Sequence, residues 1–169
     1  MGKNKAEEMH IWAQKQYEQL FSVIQKSSIK LAFDMLFYTG MRSGELLALT
    51  PADILPTKRV DINKNYAKVK GEELFLEPKT PKAKRCISIP DFLYDDIHEY
   101  ILKLYGIGKG DRIFYFTKSA LEKEIADCLG HESVKTTLDT YSHLSPDKDQ
   151  KLADRLNQFR RTPPPEEST

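Results

Sequence analysis

The stretch Lys58-Arg59-Val60-Asp61-Ile62-Asn63-Lys64-Asn65-Tyr66-Ala67-Lys68-Val69 decides the fold class. Apolar and polar residues largely alternate along it, which is the period of a half-buried strand. Glu73 to Leu76 and Arg85 to Ile89 are two further β-rich runs. Lys70-Gly71-Glu72 and the segment from Pro78 to Ala83 supply turn chemistry between them. The spacing predicts a small three-stranded antiparallel sheet within residues 58–89.

Outward from this sheet the period changes to that of helices. On the N-terminal side, Tyr17, Leu20, Phe21 and Ile24 predict a helix of about four turns from near Ile11. Leu31, Met35, Leu36 and Tyr38 predict a second, stopped by Gly40. Ser43 is the expected cap of a short third helix through Leu46, Leu47 and Leu49, which Pro51 ends. On the C-terminal side, Pro90-Asp91 opens a helix with Leu93, Ile97, Tyr100, Ile101 and Leu104 on one stripe, ended by Gly106. After the short apolar run Ile113 to Phe116, Ser119 and Glu122 form a capping box for a helix through Leu121, Ile125, Cys128 and Leu129. A short helix over residues 133–141 and a last one with Leu152, Leu156 and Phe159 complete the pattern. The class is α+β, mainly helical around a small antiparallel sheet.

The 169 residues are 40% hydrophobic and 10% aromatic, with mean hydropathy −0.55. Such a composition suits a folded core and argues against a disordered chain. No run approaches 18 apolar residues, so a membrane span is excluded. Two cysteines far apart, Cys86 and Cys128, and an N-terminus without an apolar h-region predict a reduced, cytoplasmic protein. Residues 1–10 read as a flexible N-terminus, 11–160 as one domain, and 161–169, with three consecutive prolines, as a disordered tail.

Net charge is only +1, but residues 58–85 hold nine basic side chains against four acidic ones. That local surplus suits a polyanion docking from one side. It equally suits a solvated strand face with lysines protecting its edge. Composition favours neither.

Metal chemistry lacks its ligand set. Cys128, His131 and His143 are three nearby soft ligands where a structural zinc site needs four. There is no phosphate-binding glycine loop and no Gly-x-Ser-x-Gly. Two segments do carry chemistry. In Tyr38-Thr39-Gly40-Met41-Arg42-Ser43-Gly44-Glu45-Leu46, an arginine sits at a corner between two helices, where a phosphate could lie near backbone N–H groups. In Leu129-Gly130-His131, a histidine follows a helix stop, and Tyr141 follows ten residues later.

Together these segments resemble two boxes of the tyrosine recombinase, or phage integrase, family, of the conjugative-transposon and Gram-positive phage type. Glu77-Pro78-Lys79-Thr80-Pro81-Lys82-Ala83-Lys84-Arg85 resembles the hairpin that carries that family's catalytic lysine. The resemblance runs from about Ile11 to Leu156 and implies the catalytic domain of a DNA breaking and rejoining enzyme. It implies that Tyr141 attacks a DNA phosphodiester to give a 3′-phosphotyrosyl link, with Arg42 and His131 donating to the phosphate and Lys79 protonating the 5′ oxygen. Lys58, Arg59, Lys64, Lys82, Lys84 and Arg85 are the expected DNA contacts, with no metal and no cofactor. The implied partners are double-stranded DNA and other integrase subunits assembled on it.

Two departures shape the expectation. The family's N-terminal DNA-clamping domain precedes the region equivalent to Ile11, so the resemblance is to the catalytic half. No His-x-x-Arg occurs anywhere in the chain, which passes from Glu124 to Ile125 where that box belongs. The expected result is a domain internally truncated near 124–125, with impaired strand cleavage. The alternatives are a non-catalytic DNA-binding remnant and a plain helical interaction domain. Singly, Arg42 has the spacing to pair with Glu45, Lys79 to be a turn residue, His131 a helix cap and Tyr141 a packed helix residue.

Overall fold

The computed structural model describes residues 27–78, 80 and 83–129. The helices expected near 11–26, 133–141 and 146–159 lie outside them, as do Lys79, Lys82, His131 and Tyr141.

Helix α1 (Ser27–Thr39) buries Leu31, Ala32, Met35 and Leu36 together with Ile29 and Phe33, so it is a central helix. Gly40 stops it as expected. Its φ of 63° is the left-handed conformation open to glycine, and its N–H donates to Leu36 O at 2.9 Å. Helix α2 (Ser43–Leu47) follows at once. Its cap is Arg42 rather than the expected Ser43: the Arg42 N–H donates to Glu45 Oε2 at 2.8 Å. The buried carboxylate reaching back makes this residue the helix boundary, without help from a capping hydroxyl. Pro51 then begins a short 3₁₀ turn, Pro51–Asp53, instead of closing the helix itself.

Five short strands follow: β1 (Ile54–Leu55), β2 (Arg59–Ile62), β3 (Asn65–Val69), β4 (Glu72–Leu76) and β5 (Arg85–Ser88). The α+β class holds, and there is a three-stranded antiparallel sheet, but its members differ from expectation. Its order is β1-β2-β5, while β3 and β4 form a separate two-stranded hairpin. The long alternating run therefore breaks at Asn63-Lys64. The cause is Asp53, whose buried carboxylate accepts from Asn63 Nδ2 at 3.1 Å, Lys64 Nζ at 2.5 Å, and Thr50 N and Oγ1 at 2.8 and 2.7 Å. A buried carboxylate needs such donors, and collecting them turns the chain out of the first sheet. The hairpin turns at Lys70 and Gly71, both with positive φ, as the left-handed two-residue turn requires.

Helix α3 (Asp91–Lys103) begins after Pro90 and buries Leu93 and Ile97 against α1. The segment from 104 to 117 has no regular structure, yet it is sewn to the core. Ile113 N donates to Leu49 O at 2.9 Å and Ala52 N to Lys109 O at 3.3 Å. Ile113 and Phe114 are fully buried, and Phe114 stacks on Tyr100 at 5.9 Å. Helix α4 (Lys118–Leu129) is capped by Thr117, whose Oγ1 accepts from Ala120 N at 3.2 Å, so the expected Ser119 box lies inside the helix. Leu121 and Ile125 are its buried anchors.

Candidate nucleic-acid interface

Arg42 leaves the core at the corner between α1 and α2. Met41 beside it is buried, and the Met41 N–H donates to Thr39 Oγ1 at 3.2 Å, so the backbone here is fixed. The N–H groups of Gly40, Met41 and Arg42 are all used internally. An anion at this corner would meet the guanidinium, not the backbone donors suggested by the sequence.

The Arg42 side chain is 72% exposed and Glu45 only 7%. Their closest approach is 3.9 Å, too long for a hydrogen bond. Glu45 has a better partner. Arg85, at the start of β5, donates to both of its oxygens, Nη1 to Oε1 at 3.0 Å and Nη2 to Oε2 at 2.8 Å. The bidentate geometry is the strong form of this pair. The basic segment points Arg85 toward DNA; instead its fork is engaged inward and ties β5 to α2.

Other expected DNA contacts are also partnered. Lys64 is held by Asp53. Lys58, at φ 56°, pairs with Asp91 at 2.7 Å, a contact that raises its pKa above 10.5, and Lys84 lies 3.5 Å from Glu77. Arg59 donates only a long bond to Cys86 O at 3.4 Å and is exposed. Asp53, Asp91 and Glu45 come from outside the basic segment and Arg112, also outside it, pairs with Glu73, so the surplus of five charges falls to three. The exposed cations that remain include Arg42, Arg59 and the hairpin-tip Lys68 and Lys70.

Arg112 has a role that the sequence does not announce. It is 8% exposed, its Nη2 donates to Glu73 Oε1 at 3.0 Å, and its guanidinium lies 4.2 Å from the centroid of the Tyr66 ring. Tyr66 Oη donates to the same Glu73 oxygen at 3.0 Å. This cluster fastens the β3–β4 hairpin to the 104–117 segment, although the buried Arg112 Nη1 has no acceptor among the described residues. Nothing local in Gly110-Asp111-Arg112 signals it, because both partners lie about forty residues earlier. Among the described residues there is no cluster of three or more metal-ligating side chains, and no helix is long and apolar enough to cross a membrane.

No family model matches the chain. A curated protein, the ICEBs1 integrase of Bacillus subtilis (strain 168), is 25% identical over 200 positions, covering 88% of this chain and 54% of that protein. Among solved structures, the Tn1549 transposon integrase in complex with transposon right-end DNA matches with TM-score 0.56 at 20% identity. That match covers 77% of this chain and 50% of the other. The same integrase with circular-intermediate DNA gives TM-score 0.55 at 22% identity, covering 87% and 52%. The chain thus spans about half the length of the relatives it matches. Its fold is that of the Tn1549 integrase, and the chain is related to the catalytic domain of the tyrosine recombinase, or integrase, family.

Proposed function

We propose that this chain is a catalytic-type domain for DNA strand cleavage and rejoining, in which Arg42 holds the phosphate under attack. The observation that carries the reading is the state of Arg42: exposed at a fixed corner, beside a carboxylate that another arginine already occupies. Guanidinium donors aimed at non-bridging oxygens act where charge grows in the transition state. Tyr141 is the proposed nucleophile. Its hydroxyl gives up its proton to water as its oxygen bonds to phosphorus and the bond to the 5′ oxygen breaks, and Lys79 delivers a proton to that oxygen. His131 is the proposed second donor. The covalent link conserves the bond energy, so rejoining needs no nucleotide.

We further read the domain as impaired by an internal loss near 124–125. The missing His-x-x-Arg supports the place, while the ICEBs1 integrase match, whose 200 positions exceed the 169 residues of the chain, supports a loss within the matched span. Losing one transition-state donor costs about 10²–10³ in rate. Duplex DNA, then other subunits on it, are the proposed partners, and the cytoplasm the proposed compartment, in keeping with DNA-bound relatives. A second reading, a DNA-binding remnant without cleavage, differs only in chemistry.

A nicked suicide duplex separates the two. The expected outcome for the chain is salt-sensitive binding, weakened by Arg42→Ala, with little covalent complex. Restoring a His-x-x-Arg segment between Glu124 and Ile125 is expected to recover covalent capture, and Tyr141→Phe to abolish it. Efficient capture by the unaltered chain contradicts the impairment; no capture after restoration contradicts the enzyme reading.

A further inference from the structure

Glu45 is a buried carboxylate with two arginines in reach. Arg85 takes it bidentately at 2.8 and 3.0 Å, while the Arg42 guanidinium stands 3.9 Å away, one turn back on the same short helix. The Arg42 N–H adds a third donor, on Oε2. Arg85 is itself fixed, because β5 is paired with β2 from Arg85↔Ile62 onward and Arg85 Nη1 also reaches Ala83 O at 3.4 Å.

A carboxylate that is 7% exposed is costly to leave without a compensating cation. If Arg85 were withdrawn, the nearest cation is Arg42, on a long side chain with free rotamers. It would fold back onto Glu45 at the i,i+3 spacing that helices favour for such pairs. The three-residue group carries one net positive charge. Which arginine expresses that charge at the surface depends on which one Glu45 holds.

We infer that Arg85 is a positioning residue for the phosphate-binding arginine: by occupying Glu45 it keeps the Arg42 guanidinium free for an anion. The inference rests on the proposed role of Arg42 as phosphate ligand. Its physical core, the competition of two guanidinia for one carboxylate, is measurable without DNA. It also means that movement of β5 away from α2 converts Arg42 from an open donor into a neutralised one.

The experiment pairs Arg85→Met with the double variant Arg85→Met, Glu45→Gln, in the full chain. Without DNA, the ¹⁵N-detected Nε–Hε group of Arg42 is expected to exchange rapidly with water in the parent. Exchange should slow in Arg85→Met, as Glu45 captures the guanidinium, and become rapid again in the double variant. With a duplex DNA probe at fixed salt, Arg85→Met is expected to weaken binding about as much as Arg42→Ala. That loss should be roughly tenfold, the scale of one charge-assisted hydrogen bond. The double variant is expected to restore binding. A folded Arg85→Met with unchanged Arg42 exchange overturns the inference, and so does a double variant that binds no better than the single one. If Arg85→Met does not fold, Arg85→Lys replaces it: a single-point cation leaves one Glu45 oxygen open, so partial slowing is expected, and none overturns the inference. If Arg42→Ala leaves DNA binding intact, the phosphate-ligand reading fails, while the exchange measurement still decides the competition.

Discussion

Tyr66 holds its phenol in an environment that resists ionisation. The side chain is buried, and Tyr66 Oη donates to Glu73. Burial first, and the Glu73 bond second, raise its pKa above the usual 10.0, with the Arg112 guanidinium opposing them. The folded state therefore holds the phenolic proton to higher pH than the unfolded chain. The associated stability is complete below pH 10 and is lost as pH rises through the folded-state value. Tyr66→Phe is expected to make the alkaline fall in denaturant midpoint shallower and to remove one late-titrating phenol from the ultraviolet absorbance of ionised tyrosine. Tyr100, also raised by burial, remains as the late titrant in both proteins. An unchanged alkaline profile in Tyr66→Phe contradicts the assignment. At this scale the chain is unevenly legible. Gly40 is readable because a glycine directly after an apolar stripe can take the left-handed conformation that stops a helix. The destination of Arg85 is not, since its partner lies forty residues earlier and a lysine-rich turn suggests solvent. Lys79, His131 and Tyr141 lie outside the described residues, and their proposed roles rest on their motifs alone.

Among the elements, α2 packs tightly on β3. A Cβ built on Gly44 would lie 2.3 Å from Asn65 Oδ1 and 3.0 Å from the carbonyl oxygen of Tyr66. The amide can swing away; the carbonyl is part of a paired strand and cannot. Gly44→Ala is thus expected to push the hairpin off α2 and lower stability by about 1–3 kcal/mol. Adding Asn65→Ala should recover part of that loss and leave the remainder due to the carbonyl. Denaturant unfolding of the two variants checks this, and a neutral Gly44→Ala contradicts the close packing. The sheet is only half readable for a related reason, that distant groups decide where its strands end. The alternation through 59–69 is a genuine strand signal, but the break at Asn63-Lys64 is dictated by Asp53 from the preceding turn. Strand β1 is two residues long, too short to have a period at all. The cap of α4 at Thr117 shows the same limit on a smaller scale, because Thr117 and Ser119 both offer capping hydroxyls and the sequence alone does not choose between them.

For the whole molecule, the pairing of Ile62 with Arg85 has a consequence for how the chain can change. These two residues form a neck. The β3–β4 hairpin leaves the body next to this pair, is anchored back on it by Tyr66 and by Glu73 with Arg112, and ends in an exposed tip at Lys70-Gly71. The length of that tip is nearly a free variable, since doubling a flexible loop costs only about 0.6 kcal/mol in closure entropy. Inserting about eight glycine and serine residues between Lys70 and Gly71 is expected to shift Tm by no more than about 3 °C. The same insert after Leu49, whose carbonyl accepts from Ile113, is expected to abolish cooperative unfolding. Calorimetry distinguishes the two, and a large loss of Tm from the Lys70 insert contradicts the neck. A fold built this way has an exchangeable tool on a fixed handle. The exposed tip from Lys68 to Gly71 can be lengthened or recharged to suit a different target while Tyr66 and Glu73 stay anchored and the corner that presents Arg42 stays as it is.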